Sequence, residues 1–198
     1  MRKLMDPCAL KPFPTARPMP ALTEELRRSA IELPPASAAD VPFLRALYRA
    51  SRLAELLMTP WSAEQKRTFL DDQFARQHGH FLRVHRRGDY RVIVQAGRSV
   101  GRIYCDRSGR DWTLIDILLS QEAQGKGIGS ALIRWIQHSA LVAGGAQLRL
   151  SVAHDNPRAR KLYDQLGFFE TEVGATHTKM AWNGNVSVPS EPDCCREI

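Results

Sequence analysis

The sequence predicts an α/β chain of the α+β kind: a mixed, mostly antiparallel central sheet of about seven strands, flanked by about four helices. Two observations carry this reading. Between Phe81 and Leu119, strand-like runs follow one another across short turns, as in an antiparallel meander. Beyond them the pattern alternates helix, strand, helix and closes on two further strands.

Residues 1–30 hold prolines at 7, 12, 14, 18 and 20 and lack sustained periodicity, so they read as a flexible extension in which only Leu22 to Ala30 suits a short polar helix. The domain is expected over 31–182, with 183–198 a flexible polar tail. Ile31 to Leu33 is a short strand stopped by Pro34-Pro35. Asp40 and Pro42 start a helix whose apolar face is Val41, Leu44, Leu47 and Tyr48. Ser62 and Gln65 form a capping-box pattern for a second helix to about Gln77, with Phe69 and Phe74 inward. Between these helices, Ser51 to Trp61 is unusually apolar. It is either a packed helix end or a substrate wall containing Leu56, Met58, Pro60 and Trp61.

The meander is expected as Phe81–His85, Tyr90–Gln95, Val100–Asp106 and Trp112–Leu119, with turns at Gly88, Gly97 and Gly109. A helix over 127–143 carries Gly129, Leu132, Ile133, Ile136 and Ala140 on one stripe and stops at Gly144-Gly145. The strand Gln147–Val152, a helix over 157–166, and strands at Phe168–Thr171 and Thr176–Trp182 complete the chain.

Composition narrows the function classes. With 43% apolar residues in 198, one substantial core and a single domain are expected. No apolar run approaches the roughly 20 residues of a membrane span, and the basic start lacks the apolar stretch of a secretory signal. Cysteines at 8, 105, 194 and 195 make no metal-binding spacing, so no metal and a reducing, cytoplasmic setting are expected. The net charge of +7 divides into +3 over 1–30, +6 over 31–182 and −2 over 183–198. That suits an anionic ligand. The basic residues are scattered and form no nucleic-acid module, which disfavours nucleic acid as a partner.

The most informative stretch is Leu114 to Gly129. An apolar strand broken only by Asp116 leads through Gln124-Gly125-Lys126-Gly127-Ile128-Gly129 into a helix. Such a start presents bare N–H groups and the positive end of the helix dipole. No Ser, Thr, Asp or Asn lies between Gln124 and Gly129 to cap them, so a bound anion is expected there. The glycine spacing fits neither the dinucleotide fingerprint nor a P-loop. A second stretch runs from Asn156-Pro157, a helix cap and first turn, through Ala159, Leu162 and Tyr163 to Gly167-Phe168. Tyr163 lies about two turns after Asn156, on roughly the same face.

Here the chain resembles the GNAT superfamily of acetyl-CoA-dependent N-acetyltransferases. Gln124, Gly127 and Gly129 match its first motif, and Asn156, Ala159, Leu162, Tyr163, Gly167 and Phe168 match its second. Element order agrees over about 31–182; one departure is Ser120, where many members have proline. The resemblance implies a sheet splayed near its middle, between Trp112–Leu119 and Gln147–Val152. It implies that Gln124, Gly125, Lys126, Gly127, Ile128, Gly129 and Ser130 hold the coenzyme A pyrophosphate. Ile117, Leu118 and Leu119 would pair with the pantetheine arm, with Asn156 and Ala159 beside it. An N–H at Leu119 would polarise the acetyl carbonyl, and Tyr163 would protonate the departing thiolate.

The proton acceptor is open. Asp116 is the one ionisable residue in its strand, but strict alternation turns it away from Thr113, Ile115 and Ile117 and makes it structural; a bulge would reverse that. Glu55, Glu64, His78, Tyr104 or a water chain are the alternatives. Tyr48, Met58, Trp61 and Tyr104 are the expected acceptor-facing residues, with selectivity expected within residues 48–80, at Tyr104 and near His177. The expected reaction moves acetyl from acetyl-CoA to the primary amine of a small molecule by direct attack, with homodimer formation left open. A protein or peptide acetyltransferase, which an open groove would favour, and a silent acyl-CoA-binding module are the alternatives.

Overall fold

A computed structural model describes residues 10–145 and 147–184. Residues 1–9 and most of the expected tail lie outside the described residues. Seven strands form one sheet in the order β1-β2-β3-β4-β5-β7-β6. They are β1 (Ile31–Glu32), β2 (Asp89–Gln95), β3 (Arg98–Asp106), β4 (Trp112–Leu119), β5 (Gln147–Ala153), β6 (Phe169–Val173) and β7 (His177–Asn183). Every pairing is antiparallel except β4 with β5. The helices are α1 (Glu24–Arg28), α2 (Val41–Arg52), α3 (Ala63–Val84), α4 (Ile128–Val142) and α5 (Pro157–Gln165).

The main core lies on the sheet face covered by α4, where Leu132, Ile133, Trp135 and Ile136 meet Ile103, Leu114, Leu148 and Met180. Helix α4 is buried almost all round, a wider contact than one stripe. The opposite face carries two smaller clusters built on α2 and α3, one around Tyr90 and Tyr104 and one around Leu44 and Phe74.

Three expectations change. Phe81–His85 is not a strand: α3 runs on to Val84, because Leu70, Phe74, His78 and Leu82 form one inward stripe at helical spacing. Gly79 lies within the helix, at a cost of about 1 kcal/mol that the stripe overrides. The expected flexible extension is, over 10–30, packed on the domain. Leu26 of α1 is 1% exposed in the main core, and the segment before it is held by its carbonyls. Arg91 donates to Leu33 and Arg17 carbonyls, Arg107 to that of Pro18, and Trp135 Nε1 to that of Ala21 at 3.0 Å. The third change is a β-bulge. Tyr104 pairs with Asp116 and Cys105 with Leu114, so Ile115 is an extra residue in β4.

His78 is buried between Phe13 and Phe74, with Nε2 3.4 Å from the Lys11 carbonyl. Burial pushes its imidazole below the ordinary value; the Lys11 carbonyl opposes this and nearby Arg102 adds to it. The unfolded chain therefore takes up a proton that the fold resists. Stability should be full above about pH 6.5 and decline as pH falls from there through the folded value. In urea unfolding at pH 7.5 and 5.5, His78→Leu should show a smaller drop in midpoint than the parent chain. Equal drops would show that His78 does not govern this range.

Candidate active site

Strands β4 and β5 pair only at Trp112–Leu148 and Thr113–Arg149, then part, although β4 continues to Leu119 and β5 to Ala153. The sheet is thus splayed, and the ladder groups of β4 beyond Thr113 lose their partner on that side. Ser120 N–H donates to the Val100 carbonyl on β3, so alternation turns the N–H groups of Ile117 and Leu119 into the gap. The Leu119 carbonyl already accepts from Gln124 Nε2 at 2.9 Å, and Gln124 Oε1 accepts from Arg158 Nη1 at 3.1 Å. Gly101, across from Leu119, leaves room for this strand end: a Cβ there would lie 2.5 Å from the Leu118 carbonyl oxygen.

Two cavities meet at the gap. One, of about 590 Å³, runs from Ile117, Leu118 and Leu119 past Gln124, Gly125, Gly127, Ile128, Gly129 and Ser130, with α5 as its other wall. Gly127 is the cap residue of α4 at φ +78°, with no side-chain cap, so the N–H groups of Ile128, Gly129 and Ser130 are unsatisfied within the helix. Nothing lies within 4 Å of a Cβ placed on Gly125 or Gly127. This concave ring of donors suits a diphosphate. Its cations are Arg158 and Lys161 of α5, which the sequence did not single out. Lys126 instead borders a separate surface cavity with Arg28 and Arg98.

The other cavity, of about 1000 Å³, lies on the α3 side of the sheet, between Gln77, His80 and Phe81 and the strands β4, β5, β7 and β6. Residues 113–117 all border it, and Asp116 pairs with Tyr104, whose ring lies with Ile115 in the cluster on the α3 side. The bulge at Ile115 breaks the alternation that would have turned Asp116 to the α4 face. Asp116 Oδ2 accepts from Arg102 Nε at 2.6 Å, and among the described residues Oδ1 has no protein partner. Ile117, Asn156, Ala159 and Tyr163 border both cavities.

Helix α5 sets that junction as its motif suggests. Asn156 Oδ1 caps the Ala159 N–H at 3.1 Å, Pro157 takes the first turn, and Tyr163 is 8% exposed and edge-on to Phe168. Burial pushes the Tyr163 hydroxyl well above its ordinary value, and the Asp116 carboxylate adds to the shift. The group keeps its proton at neutral pH, as an acid toward a thiolate must.

The structure does not bring the four expected acceptor residues to this cavity. Tyr48 is buried and donates to Gln73 Oε1 at 3.3 Å; Tyr104 is 1% exposed in the core. Met58 is 96% exposed, and Trp61 packs edge-on to Phe69 outside the cleft. Of the other proton-acceptor alternatives, Glu55 is ion-paired with Arg52, Glu64 borders a separate surface cavity beside Trp61, and His78 is enclosed among rings. Of the expected selectivity region, Gln77 and His80 at its C-terminal end and His177 do line the cavity, and Phe81 and His85 complete that wall. His80, Phe81 and His85 lie on or next to the stretch expected as a strand, and Gln77 lies at the expected end of the helix.

Comparison with known proteins agrees with this geometry. The model of the acetyltransferase (GNAT) family matches residues 50–168. The thialysine N-epsilon-acetyltransferase of Bos taurus is 44% identical over 64 residues, which are 32% of this chain and 38% of the relative. That of Sus scrofa is 42% identical over 77 residues, 38% of this chain and 45% of the relative. The chain thus spans under half the length of the curated relatives it matches. The PaiA N-acetyltransferase from Thermoplasma acidophilum, solved with coenzyme A, has a TM-score of 0.59 at 17% identity, covering 77% of this chain and 98% of that one. At that identity the likeness speaks for the fold. No helix among the described residues is long and apolar enough to cross a membrane. With a family model over more than half its length and a sheet that opens beside an uncapped glycine turn, the chain belongs to the GNAT family of acetyltransferases, whose acyl donor is acetyl-CoA.

Proposed function

We propose that the protein transfers the acetyl group of acetyl-CoA to a primary amine of a small molecule, by direct attack through a tetrahedral intermediate. The observation that carries this is the junction at Ile117, Asn156, Ala159 and Tyr163, where a groove suited to a diphosphate and its arm opens into a second, larger cavity. An arm laid along β4 would be held by the N–H groups of Ile117 and Leu119 like an added strand. The Leu119 N–H then faces the acetyl oxygen and stabilises the charge that develops on it. Tyr163 gives its proton to the sulfur. Asp116 Oδ1 accepts a proton from the attacking nitrogen. Once that nitrogen bonds to carbon it becomes far more acidic than a free ammonium, so a carboxylate is a sufficient acceptor. Holding amine and thioester together removes the need for a covalent enzyme intermediate.

The names of the curated relatives favour an amino-acid-like acceptor with a side-chain amine. A cytoplasmic setting fits the buried free thiol of Cys105. The test is thiol release from acetyl-CoA against polyamines, aminoglycosides, amino acids and peptides. Release with a small amine is the expected result. Release with peptides alone would move the acceptor class to proteins. No release with any acceptor, together with no coenzyme binding, would overturn the reading.

A further inference from the structure

Arg102 is 2% exposed in the middle of β3, yet it carries a full charge. A guanidinium buried this deeply gains little stability over a well-packed apolar pair. Two of its donors are directed: Nε to Asp116 Oδ2 at 2.6 Å and Nη2 to Gln77 Oε1 at 2.8 Å, with the group 5.3 Å from the centre of the Tyr104 ring. Gln77 belongs to α3 and lines the larger cavity, as Asp116 does. The bulge at Ile115 is what brings Asp116 to this face at all. A buried arginine, a strand irregularity and a helix glutamine therefore converge on one carboxylate. They tie down Oδ2 and leave Oδ1 to the cavity that Tyr163 also borders.

We propose that Arg102, braced by Gln77, is a positioning residue that fixes the Asp116 carboxylate with Oδ1 toward the acceptor amine. This rests on the amine-transfer reading above. As the C–N bond forms and the C–S bond breaks, the nitrogen's proton passes to Oδ1 and the Tyr163 proton to sulfur. Asp116 then releases its proton to water and Tyr163 recovers one. Without Arg102 the carboxylate loses the 2.6 Å hydrogen bond that holds Oδ2, and it is free to rotate Oδ1 away from the acceptor.

The test is a double-mutant cycle between Arg102→Met and Asp116→Asn, with kcat and KM read for the best amine and coenzyme affinity read by calorimetry. Arg102→Met should lower kcat about 10-fold or more when Asp116 is present, and no more than about 2-fold on top of Asp116→Asn. It should leave KM for the amine and coenzyme affinity close to those of the parent chain, and Arg102→Lys should restore part of the loss in kcat. Equal losses in both backgrounds, or no loss, would make Arg102 structural and overturn the proposal. Should Arg102→Met fail to fold, Gln77→Leu probes the same link from α3, with a smaller loss expected in the same direction. Carbon-13 NMR of the Asp116 carboxyl at one pH reads the link without turnover: disturbing the Arg102 hydrogen bond must move its resonance in the variant that folds, and no movement overturns the proposal. Movement in a protein that acetylates no amine would instead bring down the transfer reading. Additive losses in an active enzyme would bring down only the positioning role.

Discussion

Tyr163→Phe should lower kcat by about 100-fold or more while leaving coenzyme A affinity and the melting temperature close to those of the parent chain. The substitution removes one oxygen and keeps the ring that packs against Phe168 at 5.7 Å between centroids. That oxygen has no protein partner among the described residues, so no buried group loses a hydrogen bond. What is lost is the one proton donor at the junction of the two cavities. A thiolate leaving group, with a pKa of about 8.5 in its free form, departs poorly without a proton when water is scarce. The hydroxyl carries its proton at neutral pH; burial and the Asp116 charge hold that proton more tightly, so its transfer relies on the sulfur being placed beside it. Steady-state rates with the best amine, beside calorimetric coenzyme affinity, check this. A fall of only a few-fold would make Tyr163 a core tyrosine and pass the proton to water.

How far the site could be read beforehand follows from how its parts are encoded. The coenzyme side is built from consecutive residues whose types are dictated by local backbone needs. Gly127 must adopt φ +78° and Asn156 must cap α5, so glycine, asparagine and proline mark these places directly in the sequence. The acceptor side is built from residues far apart whose types carry no such demand. Gln77, His80 and Phe81 look like ordinary helix or strand residues until α3 is known to continue past Gly79. The bulge was invisible because alternation assumes an unbroken ladder, and nothing in Leu114-Ile115-Asp116-Ile117 marks the extra residue. Arg102 did leave a trace, as an arginine inside the apolar run Val100 to Cys105, near the lone acid of the next strand. Residues 10–22 are held partly by backbone carbonyls accepting from Arg91, Arg107 and Trp135, which have no residue-type signature, and partly by Arg17 on Asp89 and Phe13 against His78 and Tyr90, whose distant partners show no local periodicity. An aromatic hydroxyl suits both a core and a cleft, so residue type alone does not place Tyr48 and Tyr104; packing in the α2 and α3 clusters puts both in the core.

Gly127→Asp should abolish measurable coenzyme A binding, with an affinity loss of about 100-fold or more, in a protein that still folds. The two halves of that expectation have separate causes. For the fold, φ +78° costs a residue with a Cβ about 1–2 kcal/mol, though aspartate is among the side chains that tolerate it. Open space surrounds the new Cβ, and an aspartate at the helix cap can satisfy an unpaired N–H of α4, which returns about 1 kcal/mol. For binding, the carboxylate occupies the donors meant for the diphosphate and stands beside its charge. Two like charges about 4 Å apart near a protein surface repel by about 4 kcal/mol, which outweighs what Arg158 and Lys161 can offset across the groove. Gly127→Ala separates the effects, since it carries the backbone strain without the charge and should lose far less affinity. Calorimetric titration of both variants with coenzyme A, beside their melting curves, is the measurement. If the aspartate variant binds as tightly as the parent chain, the diphosphate does not sit at the start of α4, and the cleft that leads from there to Tyr163 serves another ligand.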